Sequence, residues 1–163
     1  MISRMSKIKS FIKERFILFI FFFTIFFSAC SKPDYEIFNG SSGYLEDLQG
    51  KWLIVNYWAD WCPPCIKEMP ELSSFYSNNH EQVNVFAYNF DRLEGQELQE
   101  QIIRFKVNVP SILTDPGKLF GWESPQSLPV TFIVDPKGNT RGILIGAQTR
   151  EKLELLIEKY KES

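Results

Sequence analysis

Two cysteines, Cys62 and Cys65, lie two residues apart in the stretch NYWADWCPPCIKEMP, residues 56–70. Such a pair can be half of a metal site, a structural disulfide or a redox couple. A structural zinc site needs four cysteine or histidine ligands, and the chain otherwise offers only Cys30 and His80. We therefore expect no metal site, and we interpret His80 as a solvated loop residue. A structural bridge over so short a loop would constrain the unfolded chain little, which disfavours the second interpretation.

The position of the pair along the chain favours redox chemistry. Cys62 follows an apolar strand-like run, residues 52–58, and opens a predicted helix. Unpaired N–H groups and the helix dipole stabilise a thiolate there. Pro63 and Pro64 suit the first turn of a helix, because N–H groups at those positions make no hydrogen bond within the helix and their absence costs little. We predict that Cys62 is the nucleophile and that Cys65 resolves the mixed disulfide. Since the dithiol itself carries two electrons, no bound cofactor is expected.

The elements around the pair predict an α/β fold. The order is strand, helix, strand, helix, and then a hairpin and a closing helix, which indicates a mixed central sheet flanked by helices. No internal repeat or second domain is found. The predicted strands are residues 52–58, 83–90, 129–135 and 141–146, and the predicted helices follow Cys62, span residues 94–107 and follow Thr149.

The first 29 residues differ in composition from the rest. Five basic residues and one acid lie in residues 1–15, before the uncharged run FILFIFFFTIFFSA at residues 16–29. A basic start before a short apolar run is typical of an export signal, and this run is shorter than the roughly 20 residues of a membrane span. We interpret residues 1–29 as a signal sequence or membrane anchor, residues 30–43 as a linker or a loose first strand, and residues 44–163 as the working domain.

The charge of the chain argues against one class of partner. The net charge is −2, and because residues 1–29 carry +4, the remainder carries −6. An acidic domain binds nucleic acid poorly. We also find no basic stripe and no phosphate-binding glycine loop. Nucleic acid is therefore not an expected partner.

Several motifs together resemble one known superfamily. WCPPC after a buried strand, Pro70 five residues beyond the second cysteine, and LPVTF near the C-terminal hairpin resemble the thioredoxin superfamily. Within it, GKWLIVNYWADWCPPCIKEMPEL and SLPVTFIVDPKGNTRGILIG are similar to the TlpA/ResA-like group of extracytoplasmic thiol–disulfide oxidoreductases. The resemblance covers roughly residues 45–157. It implies a thioredoxin-like fold in which the helix at residues 94–107 is inserted after the second core strand.

The same resemblance implies a proton-handling group and a proline site. Ordinary thioredoxins carry a buried aspartate where this chain has Asn56, which cannot titrate. The TlpA/ResA-like pattern instead supplies an acid three residues past the second cysteine. Here that acid is Glu68, on the same helix face as Cys65. Leu128–Pro129 matches the family's cis-proline position, whose preceding backbone pairs with an extended substrate.

Further partner contacts are expected around the cysteines. Trp61 is expected to shield the sulfurs and to contact substrates, and Pro63 and Pro64 in the CxxC loop are expected to contact substrates. The resemblance also implies disulfide-containing exported proteins as substrates, including apocytochrome c during cytochrome c maturation. A membrane-spanning electron donor would keep the pair reduced in an oxidising compartment.

The end of the apolar run resembles the lipobox of bacterial lipoproteins. In FSAC, residues 27–30, small residues precede Cys30, which would become the lipidated first residue. Phe27 stands where the family usually has an aliphatic residue, so a stray thiol near a cleavage site stays an alternative. Either case predicts a protein of the bacterial cell envelope, outside the cytoplasm and tethered to a membrane.

Two other functions stay open at this point. A thiol peroxidase would need a cysteine in a threonine-containing loop with an arginine nearby, which WCPPC does not supply. A non-catalytic, surface-anchored scaffold would not need to keep the cysteine pair, Glu68 and Pro129 together. Both alternatives are therefore disfavoured.

Overall fold

The computed structural model describes residues 32–162. The predicted leader and Cys30 lie outside this range. Within it, no helix combines the length and apolarity needed to cross a bilayer. The elements in chain order are β1 (Tyr35–Glu36), β2 (Ser42–Gly43), a turn of 3₁₀ helix (Leu45–Leu48), β3 (Trp52–Trp58), α1 (Pro63–Asn79), β4 (Val83–Asn89), α2 (Gly95–Phe105), α3 (Pro116–Phe120), β5 (Val130–Val134), β6 (Thr140–Ile145) and α4 (Arg150–Lys161).

The central sheet has four strands in the order β4-β3-β5-β6. β3 runs parallel to β4 and antiparallel to β5, and β5 runs antiparallel to β6. All seven residues of β3 are buried, because the strand is central and both faces of the sheet are covered. The predicted mixed sheet flanked by helices, in a thioredoxin-like fold, is confirmed.

The core lies on both faces of the sheet, as the period-two alternation of β3 requires. Ile54 and Trp58 point to the face covered by α1, α2 and α4. Val55 and Tyr57 point to the opposite face, where they pack with aromatic residues of β4 and β5. Side chains pack against both faces of β3, so the strand is fixed in the core. Its C-terminal end therefore fixes the start of the segment that carries the cysteines.

Residues 35–43 lie in the segment that the sequence indicates as a linker or a loose first strand. From residue 35 it forms the β1–β2 ribbon, which attaches to the body through Phe38 N–H to Ser111 O (2.8 Å) and Leu113 N–H to Glu36 O (2.8 Å). Tyr35 is buried, with its ring centroid 5.5 Å from that of Phe86. Within residues 35–43 the structure therefore has two short antiparallel strands, in a segment that the sequence indicates as a linker or a loose first strand. The segment is ordered because Tyr35 packs against Phe86 on β4. This contact is distant in sequence, so the polar composition of the segment does not indicate it.

Candidate active site

The two cysteines lie at the start of α1. Cys62 is the N-cap residue, and its Sγ accepts a hydrogen bond from Cys65 N–H at 3.3 Å. A disulfide joins the two sulfurs. Pro63 and Pro64 occupy the first two helical positions, as expected, and both are exposed. Cys62 is 4% exposed and Cys65 is 0% exposed, so both residues are buried and the one predicted to be the nucleophile is slightly the more exposed.

Backbone hydrogen bonds fix the turn that leads into the helix. Cys62 N–H donates to Ala59 O at 3.2 Å, and Ile66 N–H donates to Cys62 O at 3.2 Å. Because Pro63 and Pro64 carry no N–H, the main-chain donor that reaches the Cys62 sulfur is Cys65 N–H at 3.3 Å, and it favours a thiolate once the disulfide is reduced. The predicted position of the pair, after a buried strand and at a helix N-terminus, is confirmed.

Trp61 forms an exposed rim beside the disulfide. Its side chain is 58% exposed, which is unusual for so large an aromatic residue. The indole Nε1–H donates to Asp91 Oδ2 at 2.9 Å, and the ring meets Phe90 edge to face at 6.3 Å between centroids. Asp91 follows β4 and has no predicted role from sequence. An exposed indole held in place from two sides is available for contact with a partner.

Pro129 lies at the same edge of the sheet as the cysteines. The Leu128–Pro129 peptide bond is cis, as the resemblance implies. Tyr57 pairs with Val130 across the antiparallel β3–β5 ladder, so the start of β5 adjoins the end of β3. Pro129 is buried and its carbonyl accepts from Gly146 N–H at 2.9 Å. Leu128, just before it, is half-buried.

Glu68 is a buried carboxylate held by three other parts of the fold. It lies on α1, one turn beyond Cys65, and is 2% exposed. Oε2 accepts from Asn56 Nδ2 on β3 at 3.2 Å, and Oε1 accepts from the main-chain N–H of Gln148 at 3.1 Å. The Asn56 amide also donates to Thr131 Oγ1 on β5 at 2.9 Å. The site therefore depends on contacts that are distant in sequence.

The environment of Glu68 moves its titration toward neutral pH. Burial raises the pKa of Glu68 to about 7, and the hydrogen bonds from Gln148 N–H, Asn56 and Thr131 lower it in part. Removal of a carboxylate from water disfavours its charged form, while donors restore part of the lost solvation. A carboxyl group with this pKa exchanges protons readily at neutral pH. Its place on the face of Cys65 suits proton exchange with that thiol.

Sequence reasoning missed three residues of this arrangement. Asp91 is a single acid just after β4, and Thr131 lies in the LPVTF motif, so neither residue type indicates its role in the sequence. Gln148 acts mainly through its main-chain N–H, so its side-chain type carries no signal. A polar residue inside an apolar strand, as at Asn56 and Thr131, is the pattern that can indicate such a buried network.

No cluster of three or more histidine, cysteine, aspartate or glutamate side chains suited to a metal ion occurs within residues 32–162. His80 is the C-cap residue of α1. Its Nε2 lies 3.4 Å from a carboxylate oxygen of Glu81, and both side chains are exposed. Its position agrees with the solvated loop expected from sequence.

The chain matches the AhpC/TSA family over residues 31–143. It belongs to that family. ResA, a thiol–disulfide oxidoreductase of Bacillus cereus, is 33% identical over 116 residues, which cover 71% of this chain and 66% of ResA. The thioredoxin-like protein YneN of Bacillus subtilis is 31% identical over 126 residues, 75% of this chain and 74% of YneN. The crystal structure of StoA from Bacillus subtilis superposes with a TM-score of 0.60 at 27% identity, covering 76% of this chain and 96% of StoA.

These relatives confirm the resemblance to the thioredoxin superfamily and its TlpA/ResA-like group. The chain spans about two thirds of the length of ResA. Taken with the disulfide-bonded pair at the start of α1, the comparison assigns the enzyme to the thiol–disulfide oxidoreductases.

Proposed function

We propose that this AhpC/TSA-family oxidoreductase reduces disulfides of exported proteins from a membrane-tethered position in the bacterial cell envelope. The observation that supports the chemistry is a single constellation. A cysteine pair opens α1, and a buried carboxyl group, Glu68, lies one turn beyond Cys65. The cysteines of apocytochrome c, reduced during cytochrome c maturation, are one substrate that the resemblance suggests.

The reaction proceeds in two thiol–disulfide exchanges. The Cys62 thiolate attacks one sulfur of the substrate disulfide, a mixed disulfide forms, and the other substrate sulfur leaves as a thiolate. Glu68 then accepts the proton of the Cys65 thiol. The Cys65 thiolate attacks Cys62 Sγ, the Cys62–Cys65 bond forms, and the second substrate sulfur leaves and is protonated. Two electrons pass to the substrate, and a membrane electron donor reduces the pair again.

The substrate is proposed to bind across Trp61 and the Leu128–Pro129 segment. Since the Pro129 carbonyl is already bonded to Gly146 N–H, the backbone of Leu128 is the group proposed to pair with an extended substrate. The exposed Trp61 ring and the exposed Pro63 and Pro64 provide apolar contact area beside Cys62.

The proposed tether is the N-terminal segment, either as an uncleaved anchor over residues 1–29 or as a lipid on Cys30. Tyr35, the first residue of β1, lies five residues after Cys30 in the chain, with four residues between them. A fully extended segment of that length reaches at most about 18 Å. A lipid on Cys30 would therefore hold the domain close to the membrane surface. Metabolic labelling with a fatty-acid analogue, compared between the native chain and Cys30→Ser, tests this attachment.

The reductase proposal is tested by the redox state of the pair in intact cells. Acid quenching followed by thiol alkylation separates the reduced from the oxidised form of Cys62 and Cys65. A mostly reduced pair is expected, because a donor must maintain a reductase. A mostly oxidised pair would point instead to disulfide formation and would overturn the proposed direction of electron flow.

A cell-free assay separates catalysis from a scaffold role. The native protein is expected to accelerate reduction of insulin by dithiothreitol, and Cys62→Ser and Cys65→Ser should each abolish the acceleration. If both variants kept full function in cells, the scaffold alternative would replace the catalytic one.

A further inference from the structure

Asn56 is a polar residue at the centre of a buried strand. β3 reads WLIVNYW, and Asn56 is its only side chain with an amide or a charge. It is 0% exposed. A buried amide costs free energy unless it is hydrogen-bonded, and both N–H groups of Asn56 are used, by Glu68 Oε2 at 3.2 Å and Thr131 Oγ1 at 2.9 Å. The Asn56 carbonyl Oδ1 has no hydrogen-bond partner within the described residues. Asn56 therefore acts in the structure as a hydrogen-bond donor, and its side-chain oxygen is not used as an acceptor within residues 32–162.

The donors around Glu68 match a carboxylate and not a carboxylic acid. Oε2 faces the Asn56 amide, and Oε1 faces the main-chain N–H of Gln148 at 3.1 Å. Neither donor can titrate near neutral pH. An amide at position 56 therefore offers the same hydrogen atom to Glu68 at every pH. An aspartate there would offer a donor only when protonated, and a negative charge otherwise.

We propose that Asn56 is a positioning residue for proton transfer at Cys65, because its amide, with the main-chain N–H of Gln148, stabilises the Glu68 carboxylate and sets the pH above which the mixed disulfide is resolved. The inference rests on the proposed role of Glu68 as proton acceptor. It adds a residue that acts on Cys65 only through Glu68.

Among the groups packed against Glu68, the Asn56 amide is the side-chain donor whose removal by mutation is expected to change the pKa of Glu68. β3 contributes Asn56, β5 contributes Thr131, and the segment before α4 contributes Gln148. Burial is the main cause of the raised pKa of Glu68, no charged neighbour contributes to it, and the remaining causes are the hydrogen bonds. On α1 itself, the titratable group one turn back is Cys65, once reduced. Glu71, on the next turn, is engaged by Arg150 N–H at 3.0 Å.

Removal of the Asn56 donor should shift the pKa of Glu68 in one direction, which is upward. Without the Asn56 amide the Glu68 carboxylate loses a hydrogen bond, so its pKa rises further. Resolution needs the ionised form of Glu68, so the rate should reach half its maximum at a higher pH. A hydrogen bond to a charged group corresponds to a shift of about one pH unit. Asn56→Leu should therefore slow resolution up to about tenfold near pH 7 and leave it close to native at high pH.

The test is a single-turnover reaction of the reduced protein with dithiobis-nitrobenzoate, a chromogenic aromatic disulfide. Attack by Cys62 releases one coloured thiolate at a rate that depends on reagent concentration. Resolution by Cys65 releases the second thiolate at a rate that does not. The pH profile of the second phase is compared among the native protein, Asn56→Leu and the conservative variant Asn56→Ser. Asn84→Leu, at a half-buried asparagine of β4, is the matched control.

Direct titration of Glu68 provides the second measurement. The carboxyl carbon resonance of Glu68, followed by NMR across pH, reports its pKa independently of any rate. The expected result is an upward shift of both the NMR midpoint and the second-phase midpoint in Asn56→Leu, and neither shift in Asn84→Leu. In the Glu68→Gln background, Asn56→Leu should then leave the second-phase rate unchanged, since the group that it positions is gone.

Three outcomes would overturn the inference. The first is an NMR midpoint of Glu68 that is the same with and without the Asn56 amide. The second is a slower first phase with an unaltered second phase, which would assign Asn56 to the packing of the Cys62 turn. The third is an equal loss of rate in the Glu68→Gln background. If Asn56→Leu does not fold, Asn56→Asp keeps the shape, and its second carboxyl group should raise the pKa of Glu68 by like-charge repulsion.

The inference and the proposed function fail differently. A native protein that does not reduce insulin contradicts the proposed function, whatever the midpoints show. A native protein that reduces insulin, with an Asn56→Leu profile identical to its own, contradicts only the role of Asn56.

Discussion

The indole nitrogen of Trp61 donates a hydrogen bond to Oδ2 of Asp91 at 2.9 Å. This bond ties the exposed rim beside Cys62 to the loop that leaves β4. Asn89 holds the same loop from its other side, because its Oδ1 accepts Leu93 N–H at 3.3 Å. The Asn89 amide also donates to Gln101 Oε1 on α2 at 3.0 Å. The inserted helix and the aromatic rim of the active site are therefore connected through one short loop.

The first prediction concerns Asp91. Asp91→Ala should raise KM for a protein substrate roughly twofold to tenfold, the range expected when an exposed hydrogen bond no longer orients a contact residue. The rate constant for attack on a small aromatic disulfide should stay near native, because such a reagent reaches Cys62 without binding across Trp61. Steady-state kinetics with insulin and stopped-flow kinetics with the small reagent measure the two quantities.

Asp91→Asn is the matched control for this prediction, since its amide oxygen can still accept the indole hydrogen. It should behave as the native protein. Equal effects of Asp91→Ala on both substrates would contradict a role in orienting Trp61 and would indicate a change at Cys62 itself.

The second prediction concerns the order of the two cysteines. Cys65→Ser should accumulate mixed disulfides with exported proteins, because Cys62 is the more exposed cysteine of the pair and its covalent complex cannot be resolved. Cys62→Ser should not, because Cys65 is 0% exposed. Non-reducing electrophoresis followed by mass spectrometry of trapped partners measures this. Trapping by Cys62→Ser at an equal level would reverse the assigned roles.

The third prediction concerns the pH dependence of stability. The pKa of Glu68 is about 7 in the folded protein, against an ordinary value of 4.5. The folded state therefore binds a proton more tightly than the unfolded state. Stability from this group is fully present below pH 4.5 and is lost as the pH rises through about 7. The contribution lost is about 3 kcal/mol.

Glu68→Gln removes this titration. The unfolding free energy of the variant minus that of the native protein should increase by about 3 kcal/mol between acidic pH and pH 8. Urea denaturation of the oxidised proteins across this range measures the difference. Glu97→Gln, an exposed change on α2, is the control. A difference that does not vary with pH would show that Glu68 titrates alike in the folded and unfolded states.

The fourth prediction concerns the β1–β2 ribbon. A chain that begins at Tyr44 should be less stable than one that begins at Lys32 by at least about 2 kcal/mol, because it loses the buried Tyr35 ring and the hydrogen bonds to residues 111–113. Thermal unfolding of the two chains measures the loss, and Tyr35→Ala in the longer chain isolates the ring. Equal stabilities would show that residues 32–43 act as a linker after all.

The fold was predictable from sequence because its signals are local. Apolar runs of β-forming residues, such as WLIVNYW, and a helix opened by two prolines specify their elements without distant information. The position of Cys62 and Cys65 at the start of α1 follows from the same local signals. The ribbon was less clear, because Tyr35 lies in a polar segment and its partner, Phe86, is about fifty residues away.

The reactive cysteine pair can be identified from the sequence alone, whereas its surroundings follow from the packing of distant segments. The chemistry of Cys62 depends on residue type and on the next turn of chain, which are both local. The proton chemistry of Glu68 depends on burial and on donors from Asn56 and Gln148, at separations of 12 and 80 residues. Solvent exclusion and hydrogen bonding across such separations arise only when the strands and helices pack. The pKa of Glu68 is therefore a property of the assembled fold.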